Sequence, residues 1–289
     1  MTLFPQRKII DRKQVEALIE EIKNSQEEDQ RISQSLGFLD KCLNRYDNEI
    51  SAIRSRYSGG KILEIGAYPF HLTYFLKRNG YDVVGVDLDP SRFARFLSKN
   101  NLDVREIDIE RDRFCFEDEA FDAILFNEVF EHLKEPIHAL TEIHRILKKD
   151  GLLFFSTPNL YFLPHAVYFL SGKGMISDPF TAFSKPYWLG HMGHVREYSF
   201  KEVKRFLENL GFKIIEKHYQ QNRFFLTPKK NRFLNNKEEL AIPGFILFPF
   251  NLIYLFLVFT FPFLRENIVL IAKKDKEIHE IFKPKLPKT

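Results

Sequence analysis

Apolar positions in this chain fall into short continuous runs separated by segments of helical period, and the clearest set lies between residues 61 and 89. The run Ile62-Leu63-Glu64-Ile65 ends in Gly66 and reads as a buried parallel strand reaching a turn. Leu72, Phe75 and Leu76 then share one face of a helix that Asn79-Gly80 stops. A second run, Val83-Val84-Gly85-Val86, ends in Asp87, which makes a βαβ unit with a carboxylate at the tip of its second strand. The alternation continues. Val104–Asp108 reads as a third strand, Phe121–Asn127 as a fourth, 135–148 as a helix stopped by Asp150-Gly151, and 152–159 as a fifth strand. Ser199 and Glu202 form a capping box for a helix over 200–210, followed by a strand at 212–216 and a last strand at 267–273.

Outside this core the pattern changes. Residues 11–23 form an amphipathic helix, 24–29 a hinge, and Ile32, Leu36, Leu39, Leu43, Tyr46, Ile50 and Ile53 a heptad-like stripe. That stripe packs on its own domain or, in the alternative, pairs with a second copy to make a homodimer. The organisation expected is a helical arm over 1–57, a main domain over 58–275 and a basic tail over 276–289. Two insertions interrupt the main domain: a Tyr-, Phe-, Pro- and Gly-rich lid at 160–193 and an apolar stretch at 240–264.

A carboxylate at the end of a second parallel strand can accept both hydroxyls of a ribose and repels a 2′-phosphate. A dinucleotide fingerprint also needs G-x-G-x-x-G for the approach of a pyrophosphate. Here the later glycine positions carry Tyr68 and Phe70, which argues against NAD or FAD. The block Glu64-Ile65-Gly66 resembles motif I of class I S-adenosylmethionine-dependent methyltransferases, in which an acid, any residue and glycine open the loop. Asp87, Asp108 and the string Asn127-Glu128-Val129-Phe130-Glu131-His132-Leu133 fit the family's later motifs in order. The resemblance covers roughly 60–160 and returns at 194–219 and 267–274. It implies an α/β fold with a seven-stranded Rossmann-like sheet and S-adenosyl-L-methionine as cofactor. Residue by residue it implies Glu64, Gly66, Ala67 and Tyr68 at the donor's amino-acid half, Asp87 and Leu88 at the ribose, Asp108 and Ile109 at the adenine, and Asn127 and Glu128 lining the cleft.

Net charge is only +4 over 289 residues, so no nucleic-acid partner is expected. Two cysteines, Cys42 and Cys115, suggest no disulfide framework, and the first residues contain no apolar signal segment. The expected location is therefore cytoplasmic. On the acceptor side, His194, in a His-x-Arg-x-Tyr string, and His132 are the catalytic candidates, ahead of His191. Glu128, Glu131 and His132, with a distant His194, resemble the metal-ligand set of methyltransferases that modify RNA 3′ ends and of some quinol O-methyltransferases, a set that would suit Mg²⁺, Mn²⁺ or Zn²⁺. The same string recurs in metal-free relatives, so no metal is assigned.

Leu240–Leu264 contains no charged residue and Pro249 splits it, which predicts a re-entrant or surface-lying hairpin rather than a span. Arg223, Lys229, Lys230, Arg232 and Lys237 precede it and would favour an anionic leaflet. The expectation is an O-methyltransferase for a lipid-linked or amphipathic acceptor, peripheral at the membrane through 240–264. A soluble enzyme for a small metabolite and an inactive cofactor-binding scaffold stand as alternatives.

Overall fold

The short apolar runs of the main domain become strands, and the helical segments between them cover the sheet those strands form. The computed structural model describes residues 9–57, 59–170, 172, 179–184, 193–221 and 244–278. Strands β1 (Lys61–Ile65), β2 (Asp82–Asp87), β3 (Asp103–Glu106), β4 (Phe121–Asn127) and β5 (Leu147–Pro158) run parallel. β6 (Phe212–Gln220) forms the far edge, and β7 (Asn267–Lys274) enters antiparallel between β5 and β6. The order is β3-β2-β1-β4-β5-β7-β6. The central strands are buried on both faces, which is why their sequences read as continuous apolar runs.

One face packs against α5 (Pro136–Ile146) and α8 (Phe200–Asn209), burying Ile143, Leu207 and the Phe126–Phe130–Phe155 aromatic group. The other face carries α1 (Arg12–Lys23), α2 (Asp29–Arg54), α3 (His71–Arg78) and α4 (Ala94–Lys99). The stripe of α2 is spent within this chain: Leu39, Tyr46, Ile50 and Ile53 are buried in the same cluster as Phe70 and Phe75. Ser35 Oγ lies 2.8 Å from Nε2 of the fully buried His71, joining α2 to α3. Burial pushes the His71 pKa down to about 3, so the ring is neutral there. The capping boxes of Asp11 with Gln14 and of Ser199 with Glu202 both form.

Four elements differ from the sequence-based expectation. The helix expected over 135–148 ends at Ile146, and Leu147, fully buried, already pairs with Phe121. Asp150-Gly151 is therefore not a helix stop. It lies in a bulge before Leu152 pairs with Ala123, with Asp150 at φ 65°. The wish to bury Leu147 in the sheet outweighs the helical periodicity it shares with Ile143. β3 stops at Glu106, which leaves Asp108 in the turn beyond it. β6 continues to Gln220 because β7 offers a partner along its whole length.

The fourth difference concerns the apolar stretch. α9 (Gly244–Thr260) is one continuous helix through Pro249, not a hairpin split there. The proline sits near the helix start, where its missing N–H removes few rungs of the ladder. At 1.5 Å per residue the helix is about 26 Å long. Among the described residues no helix is long and apolar enough to cross a membrane. His191, the basic stretch 223–237 and residues 279–289 lie outside the described residues.

Candidate active site

All parallel strands end at one edge, and the order reverses direction between β1 and β4, where ligands of doubly wound sheets bind. Gly66 follows β1 at φ 70°, and a Cβ on it would stand 2.4 Å from Val129 Cγ2, so only glycine fits. Its N–H and that of Ala67 donate to the Val86 carbonyl, at 2.9 and 3.0 Å. Glu64 is buried beneath this loop and accepts from Thr73 Oγ1. Burial lifts its pKa to about 8, with the Thr73 hydrogen bond opposing the rise.

The two aromatic residues that replace loop glycines leave the turn intact. Phe70 adopts φ 67° at the start of α3, and its side chain is fully buried against the rings of Tyr68 and Phe93. A left-handed L-residue costs roughly 1–2 kcal/mol. Burying a phenylalanine returns roughly 1.5–3 kcal/mol. Phe70 thus fills the core below the loop rather than the cleft above it.

Asp87 lies at the end of β2 as expected, and its carboxylate is heavily used. Oδ2 accepts from the Tyr68 N–H at 3.0 Å, while Oδ1 accepts from the Asp89 N–H and from Arg92 at 2.6 Å. The Arg92 guanidinium also lies 4.2 Å from the Tyr68 ring centroid. Leu88 beside it is exposed, an apolar side chain at the cleft rim. Asp108 Oδ1 accepts from the Glu110 N–H at 3.0 Å, and Ile109 packs on the core at its base.

The end of β4 gathers the acceptor-side candidates. Glu128 adopts φ 58° and its Oε1 accepts from Ser156 Oγ and Asn267 Nδ2, both at 2.8 Å. Glu131 is almost fully buried, and its Oε2 accepts from Thr157 Oγ1 at 3.0 Å. Burial, reinforced by Glu128, pushes its pKa well up. The Glu131 carbonyl accepts from the N–H groups of Val195 and Arg196, which pins the segment carrying His194 beside His132. The two imidazoles stand edge to face, 5.0 Å apart. His194 Nδ1 lies 3.3 Å from Glu197 Oε1, and His165 Nδ1 of α6 (Leu163–Leu170) lies 2.9 Å from Glu197 Oε2. Burial would raise the Glu197 pKa, but the close imidazoles of His165 and His194 outweigh it and hold the group low.

Comparison with known proteins places the chain in a family. The sequence profile of the methyltransferase-domain family matches residues 42–217. The chain belongs to that family. A curated relative, the ubiquinone/menaquinone biosynthesis C-methyltransferase UbiE of Citrifermentans bemidjiense, is 35% identical over 104 residues, or 34% of this chain. The chain spans 43% of that relative's length. Among solved structures, a SAM-dependent methyltransferase from Archaeoglobus fulgidus aligns at TM-score 0.51 and 18% identity, over 82% of this chain and 99% of that one. One from Thermotoga maritima aligns at TM-score 0.50 and 18% identity, over 84% and 96% of the two chains. Both likenesses concern the fold: a seven-stranded SAM-dependent methyltransferase sheet.

Two residues that the methyltransferase motifs do not include also face the donor cleft. Arg45 and Glu49, a turn apart on α2, line the same cavity as Glu64, Gly66, Ala67, Tyr68 and Asn127. Arg45 Nε lies 3.6 Å from Glu49 Oε1, longer than a hydrogen bond. Arg45 Nε, Glu49 Oε2 and Asn127 Nδ2 are buried without a hydrogen-bond partner among the described residues. Burial lifts Glu49 to about 7 against the pull of Arg45. Unpaired polar atoms of both signs around one cavity suit a zwitterionic amino-acid group. S-adenosylmethionine has such a group, so the residues present fit the family's donor. From Asn127 a groove continues past Phe154, Val258, Phe259, Phe263 and Val269, between α2 and α9.

Proposed function

We propose that this chain is an S-adenosylmethionine-dependent O-methyltransferase whose acceptor is a lipid-linked or amphipathic molecule met at a membrane surface. Glu64 and Glu49 face the donor's ammonium, Arg45 its carboxylate, Asp87 its ribose, and Leu88 with Ile109 flank the adenine next to Asp108. When bound, the donor supplies an electrophilic methyl on a sulfonium. The protein's task is then orientation and exclusion of water, which together can lower a barrier by roughly 7–11 kcal/mol. Asn127 and Glu128 shape the cleft where donor and acceptor meet. His194, turned by Glu197, and His132 address the acceptor's oxygen.

The observation that carries the acceptor class is the groove from Asn127 along α9. Tyr254 and Val258 anchor α9 against Phe162, and Gln221 bonds the Tyr254 hydroxyl at 2.7 Å. The opposite side of the helix is apolar and open: Leu252, Ile253 and Phe256 are exposed, the last by 66%. Phe169 and Leu170 of α6 are exposed as well, Leu170 by 84%. An apolar outer surface on the helix that also walls a groove of mixed lining, apolar at Phe154, Val258, Phe259 and Phe263 and charged at Arg56, Glu216 and Arg265, suits an amphipathic molecule with a long apolar part.

The test uses the whole chain with methyl-labelled donor and two pools from source cells, a lipid extract and an aqueous metabolite extract. Label should enter the lipid pool, and His194→Ala should cut the rate at least tenfold with donor affinity unchanged. Label in the aqueous pool alone would overturn the acceptor class. Donor binding without transfer to either pool would overturn the activity.

A further inference from the structure

On the face of the sheet that carries α2, strands β5, β7 and β6 form the floor of a cavity of about 1320 Å³. α2 bounds it on one side, and α9 with the turn after it on the other. Strand register orders the floor. Phe154, Ile271 and Glu216 lie side by side in one row, and Ser156, Val269 and His218 in the next. The floor is thus apolar along β7 and polar along the β6 edge. From Arg45 at the donor end to Arg56 at the outer end, α2 and its last turn rise about 17 Å at 1.5 Å per residue. There Arg56 bonds Glu216 and ties α2 to β6. We propose that this slot binds an uncharged glycosyl head of the lipid acceptor, with the methylated hydroxyl at the Asn127 end. The proposal deepens the acceptor class given above and rests on that reading.

Charge decides against an acidic head. Among the described residues, the charged side chains of the outer slot are already matched. Arg56 holds Glu216, and its Nη1 also donates to the Ala52 carbonyl at 2.8 Å. His218 Nε2 lies 3.3 Å from Glu216 Oε2. Arg265 donates to the carbonyls of Val258 and Tyr219, at 3.0 and 3.2 Å. Lys217 is turned to the opposite face of the sheet, its Nζ 4.2 Å from the Phe200 ring centroid. A phosphate would have to displace Glu216 from Arg56 or lie beside its negative charge. A hydroxyl does neither, because one group donates to the carboxylate and accepts from the guanidinium.

The walls carry the second half of the argument. A sugar ring has apolar C–H faces and a rim of hydroxyls. Phe259 and Phe263 present exposed rings at the slot, whose negative faces suit C–H groups, and Val269 and Ile271 continue the apolar strip across the floor. Asn48, Ser55, Glu216 and His218 face the rim of such a ring from α2 and β6. A purely apolar head would strip water from those groups and return no hydrogen bond. The cavity also exceeds the roughly 300–1,000 Å³ of ordinary small-ligand pockets, which leaves room for a head of more than one ring. Transfer to it forms one C–O bond to a ring hydroxyl, breaks one S–C bond and leaves the donor as a thioether. The hydroxyl proton passes to His194.

The experiment gives the full chain methyl-labelled donor and the lipid extract of source cells, separated by anion exchange into neutral and acidic fractions, with the aqueous extract alongside. Label should enter the neutral fraction, and acid hydrolysis should release it as a water-soluble O-methyl sugar. Glu216→Gln and Asn48→Ala should each raise the half-saturating concentration of the neutral fraction at least tenfold. Titration with S-adenosylmethionine should give wild-type affinity for both variants, which reports that they are folded. Label in the acidic fraction, or label that stays in the organic phase after hydrolysis, overturns the glycosyl head while a lipid acceptor stands. Unchanged half-saturation in both folded variants overturns the slot as its site. Label in the aqueous extract alone, or in none of the three, overturns the lipid-acceptor reading and this proposal with it.

Discussion

Individual residues at the strand ends carry opposing demands, and Glu64 shows the conflict most plainly. It must be buried to sit under the donor loop, yet burial favours its neutral form and lifts its pKa from 4.5 to about 8. In the unfolded chain the group titrates near its ordinary value. Between those two pH values the unfolded chain has released a proton that the folded chain keeps. Stability contributed by neutral Glu64 is therefore complete below about pH 4.5 and drains away as pH rises toward 8. Glu64→Gln removes this titration. Melting curves of the donor-free protein between pH 5 and 8 should fall more steeply for wild type than for the variant, with Glu49 contributing equally to both. Parallel curves would show that Glu64 is not buried as described.

At the level of elements, what could be read from sequence and what could not divide along a physical line. Strands buried on both faces leave continuous apolar runs, so β1, β2, β4 and β7 lie where those runs lie, with Glu64, Asp87 and Asn127 at their tips. Boundaries set by pairing were not legible in the same way: Leu147 reads as helix by spacing and joins β5 because Phe121 is there to receive it. Tyr68 and Phe70 rightly argued against a dinucleotide, but nothing local says that Phe70 turns down into the core. Arg45 and Glu49 were invisible for a different reason. Charged residues on the outer side of an amphipathic helix look solvated until the helix is laid across a cleft. Glu197 and His165 became meaningful only once tertiary packing put them behind His194. The role of α2 as a wall of the donor site leads to a prediction. Arg45→Ala should weaken S-adenosylmethionine binding at least tenfold, about 1.4 kcal/mol or more. Equal affinities by calorimetry, in a variant whose circular dichroism is native, would remove α2 from the site.

For the whole molecule, the question is why a methyltransferase sheet carries so much exposed apolar surface on one side of its catalytic edge. α9 rests on Phe162 and Leu163 through Tyr254 and Val258, and Leu252, Ile253, Phe256 and Phe259 of α9 and Phe169 and Leu170 of α6 are exposed. Shed into one leaflet, each fully buried Leu, Ile or Phe side chain would contribute roughly 1.5–3 kcal/mol. The same surface left in water has no compensating interaction among the described residues. Among the described residues no helix is long and apolar enough to span, and we propose instead a surface-lying contact through these side chains. Flotation with anionic and neutral liposomes checks this. Wild type should float with both and more strongly with anionic vesicles, and added salt should weaken binding without abolishing it. Replacing Leu252, Ile253 and Phe256 together by serine should leave the protein at the bottom of the gradient with donor affinity unchanged, because those side chains touch solvent rather than the core. Wild type that fails to float would mean the apolar surface meets another partner and the acceptor arrives through water. A triple variant that still floats would place the contact on another part of the chain.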